Sequence, residues 1–195
     1  MDLKQLKKPL GIEDIDFRIQ SINKGGYATI LAYKDARVDM NRLDDVVGPE
    51  NWQRDHKEIK NVVYCGIGID IGEQEVKHAK PFTNISSVIK SKWVWKWDAG
   101  AESFTEKQKG EASDSFKRAG FNWGIGRELY DYPVIKLILR ADEFKIDGNK
   151  VRQTWELKLK EWVWFSQFED GKLTYLACKD EREKKRFEFG TFKNQ

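Results

Sequence analysis

The longest helical pattern in this chain begins near Ser103, ends at a glycine corner, and is flanked on both sides by segments that alternate with period two. Ser103 and Glu106 stand in the spacing of a capping box, in which the hydroxyl and the carboxylate close free amide donors at a helix start. Ala112, Phe116 and Ala119 follow at i, i+4 and i+7, a stripe that one helix face can bury. Lys109, Ser113 and Lys117 fall on a neighbouring polar stripe. The pattern predicts a helix ending in the adjacent cations Lys117 and Arg118. The corner Phe121, Asn122, Trp123, Gly124, Ile125, Gly126 comes next, and Pro133 closes the segment.

A helix this amphipathic needs an apolar surface to cover, and the alternating segments supply one. Residues 17–21 and 27–33 read as a β-hairpin around Gly25 and Gly26. Asp35 caps a shorter helix whose apolar face is Val38, Leu43 and Val46 or Val47, stopped by Gly48 and Pro49. Residues 52–59 read as a polar edge strand and 62–71 as an apolar central strand. In 92–98 Trp93, Trp95 and Trp97 alternate, so they share one strand face. Residues 73–91 read as a long polar connection. Further strands are expected at 134–139, 154–165 and 173–178. The fold class is α+β: an antiparallel sheet with a long helix packed on it. The expected domains are a lead-in at 1–16, one domain at 17–178 and a charged tail at 179–195.

The hydrophobic share of 39% and the eight Trp are ample for a core, so global disorder is excluded. The net charge of +3 says little by itself, and the placement of cations has to carry any electrostatic argument. Cys65 and Cys178 lack metal spacing and read as reduced and buried. The N-terminal segment has no apolar core of a secretory signal, and no apolar run is long enough for a membrane helix. A cytoplasmic protein is expected.

The functional reading of Lys117 and Arg118 is phosphate contact, by a point charge beside a planar fork. The ordinary reading is a solvated pair on a helix exterior. Arg18, Arg54, Lys92, Lys96, Lys107, Lys109 and Arg127 are the cations that could join them. The three tryptophans could stack on bases, or pack on the helix stripe or at a subunit contact. Gly66, Gly68 and Gly72 lie inside an apolar strand rather than at a helix start, so they do not make a dinucleotide fingerprint. They suit a strand where another group comes close to the backbone. Glu156 and Lys158, with Asp142 or Asp147, resemble a metal-dependent nuclease arrangement, although such triplets are common on polar strands. His56 and His78 form no ligand pattern.

Taken together, 16–132 resembles the Rad fifty-two family of single-strand annealing proteins, most closely its short phage members. The hairpin DFRIQSINKGGYATILAY, the strand VVYCGIGIDI, the segment ending WKWDAGAES and the helix block SDSFKRA with trailing WGIGRELY carry the resemblance. It implies a β-β-β-α core that assembles into rings or helical arcs, with single-stranded DNA in a basic groove. It places Lys117 and Arg118 in that groove, Lys109 earlier on the same helix and Arg18 near a basic position of the first strand. It implies annealing of complementary strands in recombination and repair, with no enzyme activity and no cofactor. It also implies a homo-oligomer and a host single-strand-binding protein as a partner. A non-annealing single-strand binder, a Mg²⁺-dependent nuclease using Glu156 and Lys158, and a structural oligomer are the alternatives.

Overall fold

The computed structural model describes residues 1–78, 86–100 and 107–193, of which 73–78, 86–90 and 107–109 are described as backbone only. The expected capping box at Ser103 and Glu106 lies outside the described residues. Among the described residues, eleven strands and two α-helices form in the order β1 (Asp16–Ile22), β2 (Tyr27–Tyr33), α1 (Ala36–Val47), β3 (Trp52–Ile59), β4 (Val62–His78), β5 (Ser86–Ala99), α2 (Lys107–Trp123), β6 (Ile135–Ile138), β7 (Phe144–Asp147), β8 (Lys150–Gln153), β9 (Val163–Glu169), β10 (Lys172–Lys179) and β11 (Lys185–Gly190). Every strand pairing is antiparallel. The chain is α+β.

The chain divides into two compact units. The first comprises Met1–Lys7 and Ala36–Ile125. Its sheet has the order β3-β4-β5, with β3 on the edge and β4 central. Cys65, Ile67 and Ile69 alternate on one face of β4 and are fully buried. Helix α2 packs against β4 and β5 on that face, with Phe116 and Ala119 inside. Ser115 and Trp123 are buried with them. Helix α1 buries Leu43 and Val47, and Gly48 then turns left-handed (φ 89°), donating its amide to Asp44 O at 3.0 Å. That is the glycine stop a helix needs to close its last carbonyls.

The second unit comprises Lys8–Asp35 and Gly126–Gln195. It holds the sheets β1-β2-β6 and β11-β10-β9 and the ribbon β7-β8. Ala28, Ile30, Ile135 and Leu137 pack with Leu176, Cys178 and Trp162 in one core, and Phe17 stacks on Trp164 at 3.6 Å between ring centroids.

Several expectations need correcting. The lead-in at 1–16 is partly core, because Leu6, Leu10 and Ile15 are buried. Within the connection expected at 73–91, the described residues 73–78 and 86–91 are strand: past a register shift between Asp70 and Glu73, β4 and β5 stay paired to His78 and Ser86. The strand expected at 154–165 is absent. Leu157 and Trp162 are both buried, yet five residues apart they cannot share one face of a strand. A 3-10 turn at Leu159–Glu161 brings both inward, and β9 begins only at Val163. The tail expected at 179–195 contributes β11, paired to β10 from Tyr175 to Lys179.

The sheet of the first unit explains Gly66 and Gly68. They lie opposite Trp97 and Trp95. A Cβ at either position would sit 2.6 Å from the facing indole. The glycines therefore let two indoles lie against β4, where they stack on each other at 5.6 Å. Gly68→Ala should force Trp95 off this seat and cost about 1–3 kcal/mol, the usual range for overpacking. A shift in urea midpoint with an altered tryptophan emission would register it, and an unchanged midpoint would show that the seat is not tight.

Candidate nucleic-acid interface

Lys117 and Arg118 do not end α2. The helix continues to Trp123, because Asn122 and Trp123 still have a sheet to pack on. The last turn is tied to β5 and β4 by side-chain hydrogen bonds. Asn122 Nδ2 donates to Trp97 O at 3.1 Å. Lys96 Nζ donates to Asn122 O at 2.8 Å and lies 4.3 Å from the centre of the Trp123 ring. Trp123 Nε1 donates to Ile67 O at 3.0 Å. A cation on a carbonyl at the helix C-terminus also meets the negative end of the helix dipole. Lys96 is thus held within the unit by these contacts.

Arg118 and Lys117 are not equivalent. Arg118 Nε lies 3.3 Å from Asp98 Oδ1, with side-chain exposures of 42% and 27%. Asp98 also accepts from Asn122 at 3.3 Å. Asp98 is the partner of Arg118 that sequence reasoning overlooked. The available signal was that Asp98 shares a strand face with Lys96, the face that meets α2. Lys117 is half-buried on the next helix position. Arg54, exposed on edge strand β3, lies over the ring of Phe116 at 5.5 Å, one residue before Lys117. Lys92 is exposed on β5.

The structure thus brings Lys117, Arg118, Lys96 and Arg54 around one helix and one sheet face. The side chains of Lys107 and Lys109, at the start of α2, lie outside the described residues. Arg18 and Arg127 belong to the second unit. Arg18 is exposed on β1 and lies over the Tyr33 ring at 5.6 Å. Arg127 is exposed and opens a 3-10 turn after the left-handed Gly126.

The tryptophans do not cover the helix stripe. Ile67 and Lys96 face α2, so by alternation Trp93, Trp95 and Trp97 occupy the opposite face. They are half-buried there, and Lys57 Nζ lies over Trp97 at 4.1 Å.

The nuclease arrangement does not form as expected. Glu156 and Lys158 precede a 3-10 turn instead of lying on a strand face. Lys158 pairs with Glu161 at 3.6 Å, and Asp142 with Arg140 at 3.5 Å. Among the described residues no group of three or more His, Cys, Asp or Glu is placed to hold a metal ion. Both cysteines are free and buried. Burial pushes the Cys65 thiol up to about 11 and the Cys178 thiol up to about 12, so neither is a thiolate nucleophile near neutrality. No helix among the described residues is long and apolar enough to cross a membrane.

Two comparisons bear on this geometry. The model of the Rad52/22 family of double-strand break repair proteins matches residues 3–145. A relative in Deinococcus radiodurans, the single-stranded DNA-binding protein DdrA, is 28% identical over 133 residues, covering 67% of this chain and 55% of that protein. The chain thus spans about half the length of this curated relative.

Proposed function

Because this chain belongs to the Rad52/22 family of double-strand break repair proteins, we propose that it binds single-stranded DNA and anneals complementary strands during recombination. The observation that carries the reading is the family match across α2, together with Lys117 and Arg118 on a helix whose last turn is fastened to its sheet. Cations that grip the phosphate backbone carry no sequence information, so such a protein accepts any strand and leaves base edges free to pair. Base pairing supplies the free energy, about 1.4 kcal/mol per step, and the reaction requires no nucleotide cofactor. Lys117 and Arg118 hold the backbone, Arg54 and Lys92 extend the track, and Lys96 positions the helix. Lys107 and Lys109 add contacts from the start of the same helix, and Arg18 and Arg127 offer separate contacts on the second unit.

In this reading several copies join as a ring or arc, so that weak individual contacts add up along one strand. The chain acts in the cytoplasm as a small, phage-type member, alongside a host single-strand-binding protein, and it is not an enzyme. The test is to mix complementary oligonucleotides without ATP and follow duplex formation. The protein should accelerate pairing and leave both strands intact when Mg²⁺ is present. Strands that stay apart in its presence would make it a protective binder, and cleavage would restore the nuclease alternative.

A further inference from the structure

The ribbon β7-β8 opposes like charges at one of its two charged pairs. Lys145 faces Arg152 directly across the strands, and Asp147 faces Lys150. All four side chains are exposed. Opposed residues on adjacent strands have Cβ atoms about 5 Å apart, and like charges there weaken a pairing. A two-stranded ribbon of four residues per strand has little stability to give away. Among the described residues neither Lys145 nor Arg152 has an acid paired with it. The repulsion is therefore left standing in a marginal element.

The base of the ribbon is nonetheless fixed. Phe144 packs on the core of the second unit, and a Cβ at Gly26 would meet its ring at 2.8 Å. Thr154 N donates to Glu143 O at 2.9 Å and closes the two ends. The cation pair thus stands on an anchored support. An ammonium with three donors and a planar fork, side by side, match one phosphate group between them. A bound phosphate would also remove the repulsion.

We propose that Lys145 and Arg152 form a second phosphodiester-binding site, on a ribbon whose first strand begins inside the residues matched by the family and whose second strand lies beyond them. The inference rests on the DNA-binding reading above. The ligand is the sugar-phosphate backbone, from a single strand or from the annealed duplex, whose major groove admits a two-stranded ribbon.

Arg152→Glu places an acid opposite Lys145 and turns repulsion into attraction. Binding of a fluorescent single strand and of a hairpin duplex would be measured from 50 to 200 mM salt, beside thermal unfolding without DNA. The variant should melt at or above the wild-type temperature and yet bind roughly tenfold or more weakly at low salt. Its log–log salt slope should shrink by about 1.4 on a single strand or about 1.8 on duplex. The substrate that shows the loss is the source of the phosphate. Lys145→Gln with Arg152→Gln removes the cations without adding an acid and should give the same slopes. Unchanged slopes on both substrates for both variants overturn the site. Wild-type protein that binds neither substrate overturns the DNA-binding reading instead.

Discussion

Lys117→Ala combined with Arg118→Ala should lower single-strand affinity at least a hundredfold and abolish annealing, with the fold intact. A charge-assisted hydrogen bond to phosphate is worth about 1.5–3 kcal/mol, and in an assembly its removal is repeated in every copy. Neither side chain is in the core. The burial of α2 rests on Ser115, Phe116, Ala119 and Trp123, which the double substitution leaves untouched. The two single variants should differ. Arg118 already has Asp98 as a counter-ion, so a phosphate reaching it exchanges one anion for another. Lys117→Ala should therefore cost more than Arg118→Ala. Annealing assays with circular dichroism as the folding control separate these outcomes. A double variant that anneals at the wild-type rate would sink the assignment of this helix to DNA.

Arg186→Met should destabilise the second unit by about 3–5 kcal/mol, the usual cost of breaking a buried ion pair. Arg186 lies within 2.8 Å of Glu143 and 3.1 Å of Asp180, with Arg186 only 9% exposed and the Glu143 side chain fully enclosed. Arg140 joins the same group, 3.1 Å from Glu143 and 2.8 Å from Asp180. Removing Arg186 leaves two buried carboxylates with one cation between them. A fall in melting temperature of roughly 10 °C follows. Calorimetry would read it, and a drop of only a degree or two would mean that Arg140 suffices.

The same cluster sets an acid limit. Burial pushes Asp180 up, but hydrogen bonds from the Lys184 and Arg182 amides and from Arg186 outweigh it, so its carboxyl titrates below the usual range. Glu181 is likewise lowered on balance, with Arg140 among the groups that outweigh its burial. Groups lowered in this way contribute stability in full above about pH 4. That contribution is lost as pH falls through their lowered values.

Elements defined by their own periodicity were legible in the sequence. β1 and β2 announce themselves by alternation around Gly25 and Gly26, and the face shared by Trp93, Trp95 and Trp97 follows from spacing alone. The close approach at Gly66 and Gly68 was also readable, although its partners were not. What stayed hidden depends on residues distant in the chain. Asp98 meets Arg118 only because α2 folds back over β5. The turns at 154–161 look like a strand because charged and apolar residues alternate there, until the burial of both Leu157 and Trp162 requires a change of direction. The paired arm of 73–78 and 86–91 reads as loop because its residues are polar, and polar residues pair across two strands as readily as apolar ones once backbone amides are matched.

That arm has a consequence for motion. β3 accompanies β4 only from Val62 to Ile69, so beyond Asp70 the two remaining strands run on with no third strand beside them among the described residues. Amides on the outer rims of such a lone pair lack partners in the sheet. Its opening free energy falls toward the low end of the range found within one protein. Local opening there would leave Cys65, Ile67 and Ile69 sealed under α2.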